Sequence, residues 1–241
     1  MGTSVAKRYR FRENNLWMVD TDGYYSSTAT KYLTYSNPLD LGDATYPSEI
    51  HALKSALMLG VLLERVVILP KFHCCNCKTF KCYNAKHQCS LLHMLKVRSF
   101  DEVFEGKYRE ASFLQHNLIP EVLKKPSSTS HVQVVPQQYI AHVNSSHLES
   151  QIPTRSRRST EKTVNPTKPQ VAIFRESVAK NIMPLKEWLH RYENVPIIHF
   201  ASLYFDVSRL LGVQSYDRYD MFADSVFQCT EYEQWEVKPF L

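Results

Sequence analysis

Glycine is scarce in this chain, which has only six glycines in 241 residues, and three glycine-dependent motifs are missing. The sequence contains no Gly-x-Gly-x-x-Gly dinucleotide fingerprint, no phosphate-binding P-loop and no Gly-x-Ser-x-Gly nucleophile elbow. Long apolar runs are also missing, since the longest covers residues 56–63 and a membrane-spanning helix needs about 20 residues. The first residues have no apolar stretch, so neither a membrane span nor a signal peptide is predicted.

One segment accounts for the whole charge excess of the chain. The formal net charge is +5, and residues 124–168 hold seven basic and two acidic residues, so the remainder is neutral. The segment is rich in Ser and Thr and has a single aromatic residue, a composition that disfavours ordered structure. Surfaces that bind nucleic acid usually interleave aromatic residues or place their charge on a helix face. We therefore expect no nucleic-acid partner and predict a disordered insertion over residues 125–168.

The pattern of apolar residues predicts an α/β fold. Residues 31–36 alternate as in a strand, and residues 48–64 repeat apolar positions every three or four residues, as in a buried helix. Residues 66–69 are apolar at every position, which is typical of a strand covered on both faces. Such a strand–helix–strand unit predicts parallel strands and a right-handed crossover.

The rest of the chain is divided on the same grounds. Residues 1–15 are predicted to be a flexible N-terminus, and residues 16–124 to form the first α/β part, with a short strand at 16–19 and a Cys-rich loop at 73–89. The disordered insertion follows, and residues 169–241 are predicted to complete the same domain. The further elements predicted there are strands at 171–174 and 195–200 and helices at 180–192 and 215–228.

Ligands of parallel sheets bind beyond the carboxyl ends of the strands. Those ends lie here at residues 37–47 and 71–73. Four side chains with cationic or proton-transfer chemistry are predicted near this crevice, and a cation there could pair with a diphosphate: His51, Lys71, His73 and Arg109. His199 lies inside an apolar strand and is predicted to be a hydrogen-bonded core histidine.

Cysteine is concentrated in one loop. Five of the six cysteines lie within sixteen residues, and the sixth stands apart: Cys74, Cys75, Cys77, Cys82, Cys89 and Cys229. Their uneven gaps do not give the paired Cys-x₂₋₄-Cys knuckles of a zinc site. We favour disulfide bonds, which require an oxidising compartment, and zinc is the alternative. The spacing does not determine the pairing.

Two carboxylates form a second candidate metal site. Asp20 and Asp22 follow an apolar run two residues apart, and such a pair can hold Mn²⁺ or Mg²⁺ against a diphosphate. The same pattern is more often an exposed turn. In the insertion, Asn144-Ser145-Ser146 is an N-glycosylation acceptor that would be used only in the secretory pathway.

Several segments resemble the amino-terminal half of GDP-fucose protein O-fucosyltransferases. The resemblance rests on residues 32–35, 52–63, 64–72 and 195–204, and the residues 107–110 are similar to a region of nucleotide-diphospho-sugar transferases. Where that family has Gly-Asn-Gln at the helix start, this chain has Pro47-Ser48-Glu49, and Asn37 and Gly42 are the nearest comparable residues. The family's second half, with its His-x-Arg motif for the diphosphate, has no match here, which suggests a fragment.

The resemblance implies one Rossmann-like half of a GT-B-like architecture, working in the Golgi or endoplasmic reticulum lumen. Its activity would be transfer of a sugar from a nucleotide diphosphate, with GDP-fucose favoured, to a hydroxyl of a glycan or protein acceptor. The implied substrate-binding residues are Asn37, Gly42, Lys71, His73 and Arg109. The candidates for a general base are His51, Asp43 and Glu49. The alternative function is a non-catalytic interaction module derived from the same fold and held by disulfides or zinc.

Overall fold

We analysed a computed structural model of the chain, which describes residues 4–38, 46–73, 75–76, 81–82, 88–91, 95–135, 171–175 and 185–203. The helices in these ranges are α1 (Ser4–Glu13), α2 (Tyr46–Leu62), α3 (Val97–Phe104), α4 (Glu121–Lys124) and α5 (Leu185–Leu189). The strands are β1 (Tyr32–Tyr35), β2 (Val66–Ile68), β3 (Phe72–His73), β4 (Cys75–Asn76), β5 (Lys81–Cys82), β6 (Gln88–Cys89), β7 (Tyr108–Arg109), β8 (Thr129–Val135), β9 (Val171–Arg175) and β10 (Ile197–Phe200).

Six of the described strands form one parallel sheet in the order β7-β2-β1-β10-β8-β9. In the centre of this sheet, Tyr32 of β1 is in register with Ile197 of β10 and with Val66 of β2. Two short antiparallel ladders, β3 with β6 and β4 with β5, lie outside it. The predicted α/β fold with a parallel sheet and flanking helices is confirmed.

One face of the sheet packs against α2. Leu33 and Val67 from the sheet and Leu53 and Leu59 from the helix are all buried in one apolar cluster. Burial of each such side chain contributes roughly 2 kcal/mol. Gly60 allows the close approach of helix and strand, because a Cβ there would lie 2.6 Å from Val67 Cγ2 and 2.9 Å from a backbone oxygen.

The opposite face is covered by the turn at residues 21–25 and by residues 113–123, which lead into α4. Tyr32 and Ile68 of the sheet pack there with the buried rings of Tyr25 and Phe113 and with Ile119. The two clusters together bury both faces of β1 and β2, as the unbroken apolar run at residues 66–69 predicts.

A buried arginine lies at the amino edge of the sheet, which is the end where its parallel strands begin. Arg65, which directly precedes β2, is 4% exposed and donates to the carbonyl oxygens of Tyr192 at 2.6 Å, Val195 at 2.8 Å and Tyr32 at 3.2 Å. Burial lowers the pKa of Arg65 to about 10. Arg65 therefore joins the start of the first two strands to the segment before β10.

The structure corrects three predictions. Residues 4–13 form helix α1 in place of a flexible terminus, because Tyr9 is buried against Tyr108 and Arg8 pairs with Asp101 at 2.7 Å. Residues 16–19 are not a strand, and Leu16 is mostly exposed. The predicted insertion begins too early, because residues 129–135 form β8 inside the sheet.

The composition of residues 125–168 hides the alternation of β8. Val132 and Val134 of that strand are buried in the cluster on the α2 face, whereas His131 and Gln133 between them are only half-buried. Residues 136–168 lie outside the described residues, as do the predicted helix at 215–228 and the first five residues of the predicted helix at 180–192, whose described remainder is α5 and a short 3-10 helix at His190–Tyr192.

Candidate functional site

The carboxyl ends of three neighbouring strands bring polar residues to one edge of the sheet. Asn37 lies just after β1, His73 ends β3 in the segment that follows β2, and Arg109 ends β7. Glu49 reaches the same edge from the first turn of α2. Three of these four are predicted substrate-binding residues, and the fourth is a predicted general base.

Glu49 is the centre of a buried cluster at this edge. Its Oε1 accepts hydrogen bonds from the backbone N–H of His73 at 3.0 Å and from the Asn37 amide, and it lies 3.4 Å from His73 Nδ1. The Asn37 amide also donates to the Lys71 carbonyl at 2.8 Å. All three side chains are at most 2% exposed. The cluster therefore ties the ends of β1 and β2 to the start of α2.

Glu49 is buried, and one of its two carboxylate oxygens can accept a further hydrogen bond. Among the described residues, its Oε2 has no hydrogen-bond donor. Burial raises the pKa of Glu49, and the hydrogen bonds from Asn37 and His73 oppose that rise. A carboxylate with a raised pKa is a stronger proton acceptor than an exposed one, which is the property that a general base needs.

The other predicted residues at this edge are distributed differently. His51 is exposed, because two positions along a helix turn a side chain by about 200° and so carry it to the side opposite Glu49. Lys71 is exposed beside the cluster and contributes its carbonyl oxygen to it. Gly42 and Asp43 lie outside the described residues.

Arg109 lines a separate cavity of about 310 Å³, which we call the α1 cavity and which is formed by α1, the turn at 21–24 and β7. Its guanidinium lies 4.0 Å from the ring centroid of Tyr24, and that of Arg12 lies 3.7 Å from the same centroid. Lys71 does not line this cavity. The structure thus groups Arg109 with Arg12 and Tyr24 and separates it from the Glu49 cluster.

A second polar cluster lies across β1, β10 and β8, on the sheet face opposite α2. His199 Nδ1 is 2.9 Å from the Thr34 hydroxyl and its Nε2 is 3.1 Å from the Ser36 hydroxyl. The His131 ring lies 5.1 Å away. Burial, helped by His131, lowers the pKa of His199 to about 4, so the ring is neutral at pH 7. The prediction of a hydrogen-bonded histidine is confirmed.

Thr34, Ser36 and His131 carry no motif that would single them out in the sequence. They become neighbours of His199 only through strand register, which pairs Thr34 with His199 and His199 with His131. The alternation of β1 is the signal that places Thr34 and Ser36 on one face, but alternation cannot say which strand lies beside them.

Asp20 and Asp22 do not converge on one point. Asp20 Oδ1 accepts the backbone N–H of Tyr25 at 2.7 Å, and hydrogen bonds from Ser26 and Tyr25 lower the pKa of Asp20. Asp22 has a left-handed backbone with φ of 53° and lines the α1 cavity, which Asp20 does not. In the ranges that the structure describes, no group of three or more His, Cys, Asp or Glu side chains could hold a metal ion.

The cysteine loop is described in part. Cys75 and Cys82 are register partners across the β4–β5 ladder, and Cys89 pairs with Phe72 in the ladder of β3 and β6. Cys89 is disulfide-bonded, and no cysteine in the described ranges is free. Cys74, Cys77 and Cys229 lie outside those ranges, so the pairing stays a prediction.

Comparisons with known proteins add no family to this geometry. No family model, curated protein or solved structure matches the chain. Among the helices that the structure describes, none is long and apolar enough to span a membrane. Function must therefore be argued from the site alone.

Proposed function

We propose that this chain is a nucleotide-sugar-dependent glycosyltransferase, or an incomplete form of one, with the fold of one half of a GT-B-like enzyme. Its reaction would transfer a sugar, with fucose from GDP-fucose favoured, to a hydroxyl of a glycan or protein acceptor. The observation that carries this proposal is the Glu49 cluster, a buried carboxylate–histidine–amide group at the carboxyl edge of a parallel sheet, where ligands of such sheets bind.

In this proposal, different residues at the carboxyl edge assist different steps of the reaction. Departure of the nucleotide diphosphate leaves negative charge, which the exposed Lys71 beside the cluster would stabilise. The acceptor hydroxyl must lose a proton, and the carboxylate of Glu49 with the adjoining His73 is the acid–base pair at the edge. Asn37 fixes the geometry of both loops through its hydrogen bonds to Glu49 and the Lys71 carbonyl. Work in the Golgi or endoplasmic reticulum lumen, where cysteines oxidise, belongs to the same proposal.

The test is titration of the oxidised full chain with GDP, UDP and their sugars, with and without Mn²⁺, by calorimetry. We expect one nucleotide diphosphate to bind and Lys71→Ala to weaken that binding by at least about tenfold, because a charge-assisted contact is lost. The matched control is Lys31→Ala, which removes a lysine at the amino edge of the sheet. This variant should bind the nucleotide as tightly as the parent chain does. A requirement for Mn²⁺ would show that a metal takes part in binding, and it would not assign that metal to Asp20 and Asp22, whose side chains do not converge on one point.

A non-catalytic module is the second candidate, and the disulfide at Cys89 together with the complete burial of Glu49 favours it. A binding module needs a rigid loop but no accessible base. If the folded, oxidised chain binds none of the nucleotides or sugars, the transferase proposal for this chain is wrong and the module remains.

A further inference from the structure

The α1 cavity is a second site, distinct from the Glu49 cluster. It is enclosed by α1, by the turn at 21–24 and by the turn at Gly106, whose φ of 73° suits glycine and lets the chain reverse between α3 and β7. Its volume of about 310 Å³ is at the lower end of the range for small-molecule pockets, roughly 300–1,000 Å³. The cavity therefore suits a small molecule.

Two guanidinium groups of the cavity have no carboxylate partner among the described residues. Arg12 and Arg109 contact the Tyr24 ring, and neither forms an ion pair there, whereas Arg8 nearby is paired with Asp101. Arg109 is 8% exposed, and in the described structure its Nε and that of Arg12 have no acceptor. Arg109 is buried and Arg12 is half-buried, and guanidinium groups with unused donors beside a cavity suit an anionic ligand.

The cavity also offers one buried acceptor. Glu110 is 1% exposed; its Oε2 accepts the Tyr24 hydroxyl at 2.7 Å, while its Oε1 has no donor among the described residues. Burial raises the pKa of Tyr24 well above its ordinary range, so the hydroxyl stays protonated and keeps donating. A ligand that fits must therefore bring a hydrogen-bond donor to Glu110 as well as an anion to the arginines.

We propose that the α1 cavity binds a small phosphorylated polyol, with its phosphate on Arg12 and Arg109 and a hydroxyl on Glu110. A phosphate monoester carries close to two negative charges at neutral pH and so matches two guanidinium groups. Another acid of the cavity, Asp101, is already paired, because Arg8 neutralises its charge and the Tyr108 hydroxyl donates a hydrogen bond to it at 2.9 Å. Asp22 and Glu105 are exposed at its rim.

The test uses the full chain and three probes: glucose 6-phosphate, glucose and inorganic phosphate, each titrated by calorimetry at constant ionic strength. Glucose 6-phosphate should bind more tightly than either of the others, because it alone satisfies the arginines and Glu110 together. Arg12→Gln should weaken its binding by at least about tenfold. The matched control is Arg98→Gln on α3, which removes the same charge from an exposed arginine paired with Glu102, and it should change binding less than twofold.

A second variant keeps the test valid if an arginine substitution disturbs folding. Tyr24→Phe retains the ring under both guanidinium groups and removes the hydroxyl bonded to Glu110, so the preference for glucose 6-phosphate over inorganic phosphate should change while phosphate still binds. The proposal is overturned if no phosphorylated probe binds, or if Arg98→Gln weakens binding as much as Arg12→Gln does. Binding of GDP-sugars should be unaffected by Arg12→Gln, which separates this site from the transferase proposal.

Discussion

The two edges of the parallel sheet each bury an arginine, and they use it differently. At the amino edge, Arg65 donates to five carbonyl oxygens and meets the hydrogen-bonding needs of the surrounding backbone. At the carboxyl edge, Arg109 donates to two carbonyl oxygens, those of Tyr108 at 2.8 Å and Gly106 at 3.4 Å. Its Nε has no acceptor in the described part of the chain.

This difference distinguishes buried polar groups that stabilise the fold from buried polar groups that can bind a ligand. A buried charge whose donors all end on the backbone stabilises the fold and has nothing left to offer a ligand. A buried charge with unused donors beside a cavity costs stability until something binds to it. Glu49 and Glu110, each with one buried oxygen that has no described donor, show the same property as Arg109. We therefore place the two proposed sites at these groups, one at the Glu49 cluster and one in the α1 cavity beside β7.

The largest expected effect is at the amino edge. Arg65→Met should lower the free energy of unfolding by about 3 to 5 kcal/mol, because the partly buried carbonyls of Tyr192 and Val195 would lose their donor. Urea denaturation followed by circular dichroism measures this. Arg191→Met, at an exposed arginine of the same segment, is the control and should cost less than about 0.5 kcal/mol. Equal effects of the two would remove the distinction drawn for Arg65.

At the carboxyl edge a smaller loss is expected from Glu49→Ala, about 2 to 3 kcal/mol. The backbone N–H of His73 and the Asn37 amide would lose a buried acceptor. Glu49→Gln keeps an acceptor oxygen and should recover about half of that loss in the same denaturation experiment. If Glu49→Ala proves as stable as the parent chain, Glu49 does not hold the two loops together.

The smallest effect concerns pH and the cluster across β1, β10 and β8. Because the pKa of His199 is lowered from its ordinary value of 6.5 to about 4, the unfolded chain binds more protons than the folded chain between those values. The free energy of unfolding therefore has its full value above about pH 6.5. As the pH falls toward 4 it decreases by about 1 to 2 kcal/mol because of this group, after allowance for partial exposure.

Unfolding midpoints at pH 7 and pH 4.5 measure this dependence. His199→Gln should reduce the difference between the two midpoints, whereas His190→Gln, at an exposed histidine, should leave it unchanged. If the midpoint differs by the same amount between the two pH values in the parent chain and in His199→Gln, other groups cause the acid sensitivity.

The sequence predicts the centre of the fold well and its periphery poorly. The strand–helix–strand unit of β1, α2 and β2 is foreseen almost to its bounds, because apolar periodicity reports burial directly. α1 is missed because its residues are mostly polar, and only Tyr9 is buried. β8 is missed because its Val132–Val134 alternation is short and lies in a Ser/Thr-rich stretch whose composition predicts disorder.

The candidate sites divide in the same way. Asn37, Glu49 and His73 can be foreseen at one edge, because chain order alone places the ends of consecutive parallel strands and the start of the helix between them together. What order cannot foresee is that Glu49 is buried while His51 is exposed, because that depends on which face of α2 packs against the sheet.

The sequence by itself determined a parallel α/β core and the polar residues at its carboxyl edge, because both follow from periodicity and chain order. Only the tertiary structure decided that Arg12 from α1 and Arg109 from β7 meet at Tyr24. Cation–π contacts and ion pairs between distant segments leave no period in a sequence. They depend on where packing carries each side chain, so the α1 cavity exists only in the folded chain.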